Sequence, residues 1–83
     1  MITVLFFAGL REAVGTSSET LALPANVATV AALREHLAAR GDAWEALAKA
    51  KNLRAAVNQD MVPLTTAIKD GDEIAFFPPV TGG

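Results

Sequence analysis

The sequence ends Phe76-Phe77-Pro78-Pro79-Val80-Thr81-Gly82-Gly83, and the terminal carboxylate of Gly83 is the group best suited to covalent chemistry. Glycine lacks Cβ and permits close backbone approach to another surface. Gly82 and Gly83 can therefore thread a narrow channel and present the carboxylate to catalytic groups held elsewhere. A carboxylate is a poor electrophile until activated, commonly as a mixed anhydride with AMP. Sulfur attack then gives a thiocarboxylate, and attack by a lysine amine gives an isopeptide bond. The plainer reading is a frayed terminus, where glycine is common.

Other reactive groups are sparse. Ser17 and Ser18 lack a nucleophile-elbow context, and His36 is the single histidine, so a hydrolytic triad is not supported. Gly9 and Gly15 lack the Gly-Lys-Ser/Thr spacing of a phosphate loop. Asp70, Asp72 and Glu73 flank Gly71 and read as a solvated turn in preference to a cation site. Cysteine is absent, which removes thiol nucleophiles and thiolate metal sites. One histidine cannot build a usual zinc site, so no metal is expected. Any sulfur handled here must ride on the terminus.

The seven cations Arg11, Arg34, Arg40, Lys49, Lys51, Arg54 and Lys69 are scattered, and net charge is -2. No nucleic-acid footprint is expected, since that needs a basic stripe. The apolar stretch Ile2 to Ala8 lacks a basic leader and is too short to span a bilayer. A cytoplasmic protein without membrane attachment is the expectation.

Eighty-three residues, 52% hydrophobic and 19% charged, make one small domain with apolar surface to spare for an interface. Residues 2–8 read as a strand with Ile2, Val4, Phe6 and Ala8 on one face and Thr3, Leu5 and Phe7 on the other. Leu10 to Gly15 reads as a loop or short helical turn. Thr20 to Leu23 reads as a second strand stopped by Pro24.

Thr29 is the expected N-cap of the main helix, with Val30, Leu33 and Leu37 as its apolar stripe, Arg40 in its last turn and Gly41 as its stop. His36 lies off that stripe, on the surface. Asp42 and Glu45 suggest a capping box opening a second helix, packed through Trp44, Leu47 and Ala48 and ending near Lys51-Asn52. Leu53 to Val57 reads as a third strand, turning at Asn58-Gln59-Asp60 into a fourth at Met61-Val62 that Pro63 ends. After the turn Lys69 to Asp72, Glu73 to Phe77 forms the last strand.

This order predicts an α+β fold of the β-grasp, ubiquitin-like kind: a mixed sheet of about five strands, its central neighbours parallel, with one main helix on one face and a second short helix. The domain is expected to span 1–79, followed by a flexible tail at 80–83. The open face would carry Leu5, Phe7, Met61 and Phe77. Pro78-Pro79 stiffens the exit, and Pro79 to Gly83 can reach roughly 15 Å when extended.

Val4-Leu5-Phe6-Phe7-Ala8, Leu10-Arg11-Glu12, Ala56-Val57-Asn58 and the run Asp70 to Gly83 closely resemble the small, sulfur-carrying subunit of molybdopterin synthase. The resemblance spans essentially the whole chain, and its last fourteen residues are the most specific part. It implies that an ATP-dependent adenylating enzyme activates Gly83, that a sulfurtransferase supplies sulfur, and that the thiocarboxylate serves cyclic pyranopterin monophosphate inside the large synthase subunit. ATP would belong to the activating enzyme, with no cofactor bound permanently here. Leu5, Phe7, Met61, Phe77, Pro78, Pro79, Val80 and Thr81 would meet the partners, and Gly82 would supply clearance. A thiamine-pathway sulfur carrier and a ubiquitin-like protein modifier are the alternatives.

Overall fold

The computed structural model describes residues 1–79. Five strands form one mixed sheet: β1 (Ile2–Phe6), β2 (Ser18–Leu21), β3 (Arg54–Val57), β4 (Asp60–Val62) and β5 (Glu73–Phe77), in the order β2-β1-β5-β3-β4. Only β1 and β5 pair in parallel, with Val4 opposite Ile74 and Phe6 opposite Phe76. The other three pairings are antiparallel. These two most apolar strands sit side by side at the centre of the sheet, where their inner faces are fully buried.

The inner face gathers Ile2, Val4, Phe6, Ala55, Ile74 and Phe76, all essentially buried, against Val30, Leu33 and Leu37 of helix α2 (Val30–Ala38). The predicted stripe is thus the packing face. Thr29 caps the helix as expected: its hydroxyl accepts from the Ala32 amide at 3.1 Å. The loop after β4 completes the cap, since the Val30 and Ala31 amides donate to the Thr66 and Leu64 carbonyls. His36 is exposed.

Several local expectations are corrected. The first strand stops at Phe6, and residues 8–14 form helix α1 (Ala8–Val14) where a loop or single turn was expected. Ala8 adopts φ 52°, turning the chain out of the strand, and Gly15 ends the helix in the left-handed region at φ 80°. Leu10 drives this helix by burying beneath it.

The second strand lies at Ser18–Leu21, two residues earlier than expected. Its register with β1 places the polar Ser18 and Thr20 on the open side, so an apolar pattern alone does not reveal it. Asp42 does not cap a helix. It takes φ 51° and opens a short 3-10 turn (Asp42–Trp44) that runs into α3 (Glu45–Lys49). Leu47 is buried and Trp44 half-buried, while Ala48 is exposed, not packed. Arg40 and Gly41 lie beyond the end of α2.

Arg40 has a different task. Its guanidinium grips Glu19 of β2 through two hydrogen bonds of 2.8 and 2.5 Å and lies 4.5 Å from the Trp44 ring centroid. Trp44 meets Phe6 edge-on at 5.4 Å. The edge strand is thereby tied through one arginine to the centre of the core.

Helix α3 has only five residues and would not persist alone. Arg34 of α2 holds its C-terminal carbonyls, donating from Nε to Leu47 O at 2.6 Å and from the guanidinium to Ala48 O and Ala50 O at 3.3 and 2.6 Å. Hydrogen bonds from a charged donor are stronger than neutral ones, so Arg34→Ala is expected to lower stability by about 2 kcal/mol. Urea unfolding followed by Trp44 fluorescence would measure it, and an unchanged midpoint would show the helix end to be indifferent to the cap.

Candidate functional site

The uncovered face of the sheet follows from strand alternation. Thr3, Leu5 and Phe7 point away from the helices, as do Glu73, Ala75 and Phe77. Phe7 lies one residue past β1 but keeps an extended backbone, and its amide donates to Phe76 O at 3.2 Å. Its ring therefore stays on the open side and meets Phe77 edge-on, with centroids 6.5 Å apart.

Register extends this face across the sheet. Leu5 is opposite Ala75, Ala75 opposite Ala56, and Ala56 opposite Met61. The four residues form a row across β1, β5, β3 and β4, about 14 Å from end to end at the usual strand spacing. Small alanines in the middle make it a shallow saddle between larger side chains. Phe7 and Met61 are 46% and 61% exposed, while Leu5 and Phe77 are half-buried. The four residues predicted for the patch thus share one face, but Met61 stands at the far edge, apart from the phenylalanine pair.

Pro78 and Pro79 follow β5 directly and are half-buried. The chain leaves the sheet beside Phe7 and Phe77. Val80, Thr81, Gly82 and Gly83, the last of which carries the predicted reactive carboxylate, lie outside the described residues.

The opposite end of β5 is held by polar groups. Asn58 and Gln59 form a two-residue hairpin turn, both left-handed at φ 51° and 74°. The Asn58 amide donates to Glu73 O at 2.8 Å, and its side-chain oxygen accepts from the Glu73 amide at 3.0 Å. Its side-chain nitrogen donates to Asp72 at 3.0 Å. Asn58 thereby continues the β3–β5 ladder past its last residue, using its own amide as a surrogate for backbone.

Asp72 is correspondingly buried, not solvated as expected for a turn carboxylate. The Lys69 amide donates to it at 2.9 Å. This bond first, and the Asn58 bond second, hold its carboxyl below the usual carboxylate range. Across the turn, Gly71 donates to Met1 O, Thr3 donates to Asp72 O, and the Met1 ammonium pairs with Asp70. Among the described residues no group of three or more His, Asp or Glu is placed to hold a metal ion. No helix among them is long and apolar enough to cross a membrane.

Sequence reasoning overlooked the Asn58–Asp72 clamp and the contribution of Ala56 and Arg54 to the open face. The positive φ preference of Asn58 was one available signal. The face assignment of β3 needed its register, which no local pattern supplies.

A five-stranded β-grasp sheet with an uncovered apolar face and a proline-stiffened exit defines a small ubiquitin-like domain. Residues 4–83 match the ThiS family. Over 83 residues, and 100% of each partner's length, the chain is 53% identical to the molybdopterin synthase sulfur carrier subunit of Escherichia coli K12. It is 51% identical, with the same coverage, to that of Haemophilus influenzae Rd. It is also similar to the solved structure of a putative molybdopterin converting factor, subunit 1, from Pyrococcus furiosus, with TM-score 0.77 and 30% identity over 95% of this chain and 97% of that one. The chain belongs to the ThiS family and, within it, to the molybdopterin synthase sulfur carrier subunits.

The clamp yields a pH prediction. Glu19 is also held low, chiefly by the Arg40 hydrogen bonds. A carboxylate with a depressed folded-state pKa stabilises the fold above its unfolded value, and that contribution is lost as pH falls through the folded one. Stability should therefore decline below about pH 4. Asp72→Asn should be less stable at pH 7 and should lose less than the parent between pH 5 and 3, as read from urea midpoints. Parallel pH profiles would show that Asp72 is not a source of the acid sensitivity.

Proposed function

We propose that the carboxylate of Gly83 is the reacting group of this carrier. In the cytoplasm it attacks the α-phosphorus of ATP on an adenylating enzyme, releasing pyrophosphate and forming a glycyl adenylate. The outer sulfur of a cysteine persulfide on a sulfurtransferase then attacks the carbonyl carbon, and AMP leaves. A thiol attacks the carrier sulfur of the resulting acyl disulfide, forming a disulfide with it and releasing the thiocarboxylate. Delivered into the large synthase subunit, it donates sulfur to cyclic pyranopterin monophosphate, and two deliveries build the molybdopterin dithiolene. The observation that carries this reading is the full-length likeness to sulfur carrier subunits of molybdopterin synthase.

The geometry supports a division of labour. The described residues hold no assembled catalytic constellation, and the exposed face beside the chain exit offers a docking surface. Leu5, Phe7, Met61 and Phe77 would seat the large subunit, while Pro78 and Pro79 aim the segment Val80, Thr81, Gly82 and Gly83 into its channel. The catalytic groups and the pterin site then belong to the partner. ATP is a substrate of the activating enzyme, and no resident cofactor is required of this chain.

Removal of Gly83 should leave the fold intact and abolish thiocarboxylate formation. Mass spectrometry after incubation with the activating enzyme, ATP and a sulfur donor would show whether oxygen is replaced by sulfur; full sulfur transfer by the truncated chain would refute the assignment. A ladder of higher-mass conjugates without the sulfur product would favour a protein modifier.

Phe7→Asp should weaken binding to the large subunit at least tenfold with a melting temperature within a few degrees of the parent, because its ring is already half in water. Undiminished binding by this variant would exclude the aromatic face as the docking surface.

A further inference from the structure

The open face is not symmetric in charge. Arg54 of β3 stands opposite Phe77 of β5, and directly opposed antiparallel residues project to the same side. One row across the sheet at the exit end is therefore Phe7, Phe77 and Arg54. At the other end, Thr3 is opposite Glu73. Between the two rows lies the uncharged saddle of Leu5, Ala75, Ala56 and Met61.

Arg54 is exposed, and its side chain makes no hydrogen bond or ion pair with another described residue. Arg34 and Arg40 are committed internally, capping α3 and binding Glu19. Arg11, exposed and also without a side-chain partner among the described residues, lies on α1 and not on a strand of the open face. An uncommitted guanidinium bordering exposed aromatic rings has the composition of an interface anchor. Its planar fork matches a carboxylate through two parallel hydrogen bonds.

We infer that Arg54 orients the docked carrier by pairing with a carboxylate on the large synthase subunit, at the edge of the opening that receives the tail. The inference rests on the docking reading given above and deepens it. An apolar saddle by itself permits several rotations of one surface on another. Within the sheet face, Arg54 in the exit-end row and Glu73 at the opposite end select the rotation that points Pro78 and Pro79 toward the channel.

The test measures affinity of the full chain for the large subunit at low and high salt, with Arg54→Lys, Arg54→Glu and Phe7→Asp beside the parent. Charge reversal at a rim ion pair should weaken low-salt binding about tenfold, chiefly through slower association, with the difference shrinking as salt screens the pair. Arg54→Lys, which keeps the charge but not the fork, should retain the parent salt dependence and recover only part of the affinity. Thermal melts of each variant separate lost docking from lost folding.

If Arg54→Glu binds like the parent while Phe7→Asp does not, the face docks but Arg54 is not its anchor, and the inference fails alone. If neither variant loses affinity, the docking reading itself fails. Equal loss in Arg54→Glu at all salt concentrations would also overturn the inference, because it would not be an ion-pair effect.

Discussion

The parallel pairing of β1 with β5 brings residues from the two ends of the chain together in the interior of the sheet. Each strand must then be apolar on its inner face, and their mutual ladder can close only after everything between them has been laid down. The helix α2 follows from this constraint, because its Val30, Leu33 and Leu37 cover the face that Val4, Phe6, Ile74 and Phe76 present. The outer strands β2 and β4 complete the sheet with little apolar surface of their own.

The same constraint fixes where the chain leaves the sheet. A strand held on both sides by neighbours gives the following residues a fixed point of departure, and Pro78 and Pro79 carry that direction onward. At its other end β5 is anchored by Asn58 and Asp72. The polar clamp sits on the side of the molecule away from the exit. Precision is therefore set by the sheet, while the exit itself carries no internal hydrogen-bond network among the described side chains.

Most element types were legible in the sequence. Alternation in Ile2–Phe6 and Glu73–Phe77 marks strands, and the spacing of Val30, Leu33 and Leu37 behind Thr29 marks the capped helix. The errors share a cause. Ala8 to Val14 carries one buried residue, Leu10, too few for a visible helical stripe. Ser18 to Leu21 is an edge strand with polar residues outward and Glu19 committed to Arg40. Asp42 and Glu45 have capping-box spacing, yet Asp42 takes a left-handed backbone that a cap does not use. In each case tertiary contacts outweighed a local preference.

By itself the sequence determined the β-grasp order, the helix that covers the sheet, the Gly82-Gly83 end and its likeness to sulfur carriers, because these depend on local periodicity and on a contiguous motif. Alternation already put Leu5, Phe7 and Phe77 on the open face; tertiary structure alone decided how its residues line up from strand to strand. Strand register is a long-range property: it set Met61 in line with Leu5 across three strand boundaries, placed Arg54 beside Phe77, and buried Asp72 in what reads locally as a solvated turn. No spacing along the chain encodes those distances, since they arise when separate strands pair.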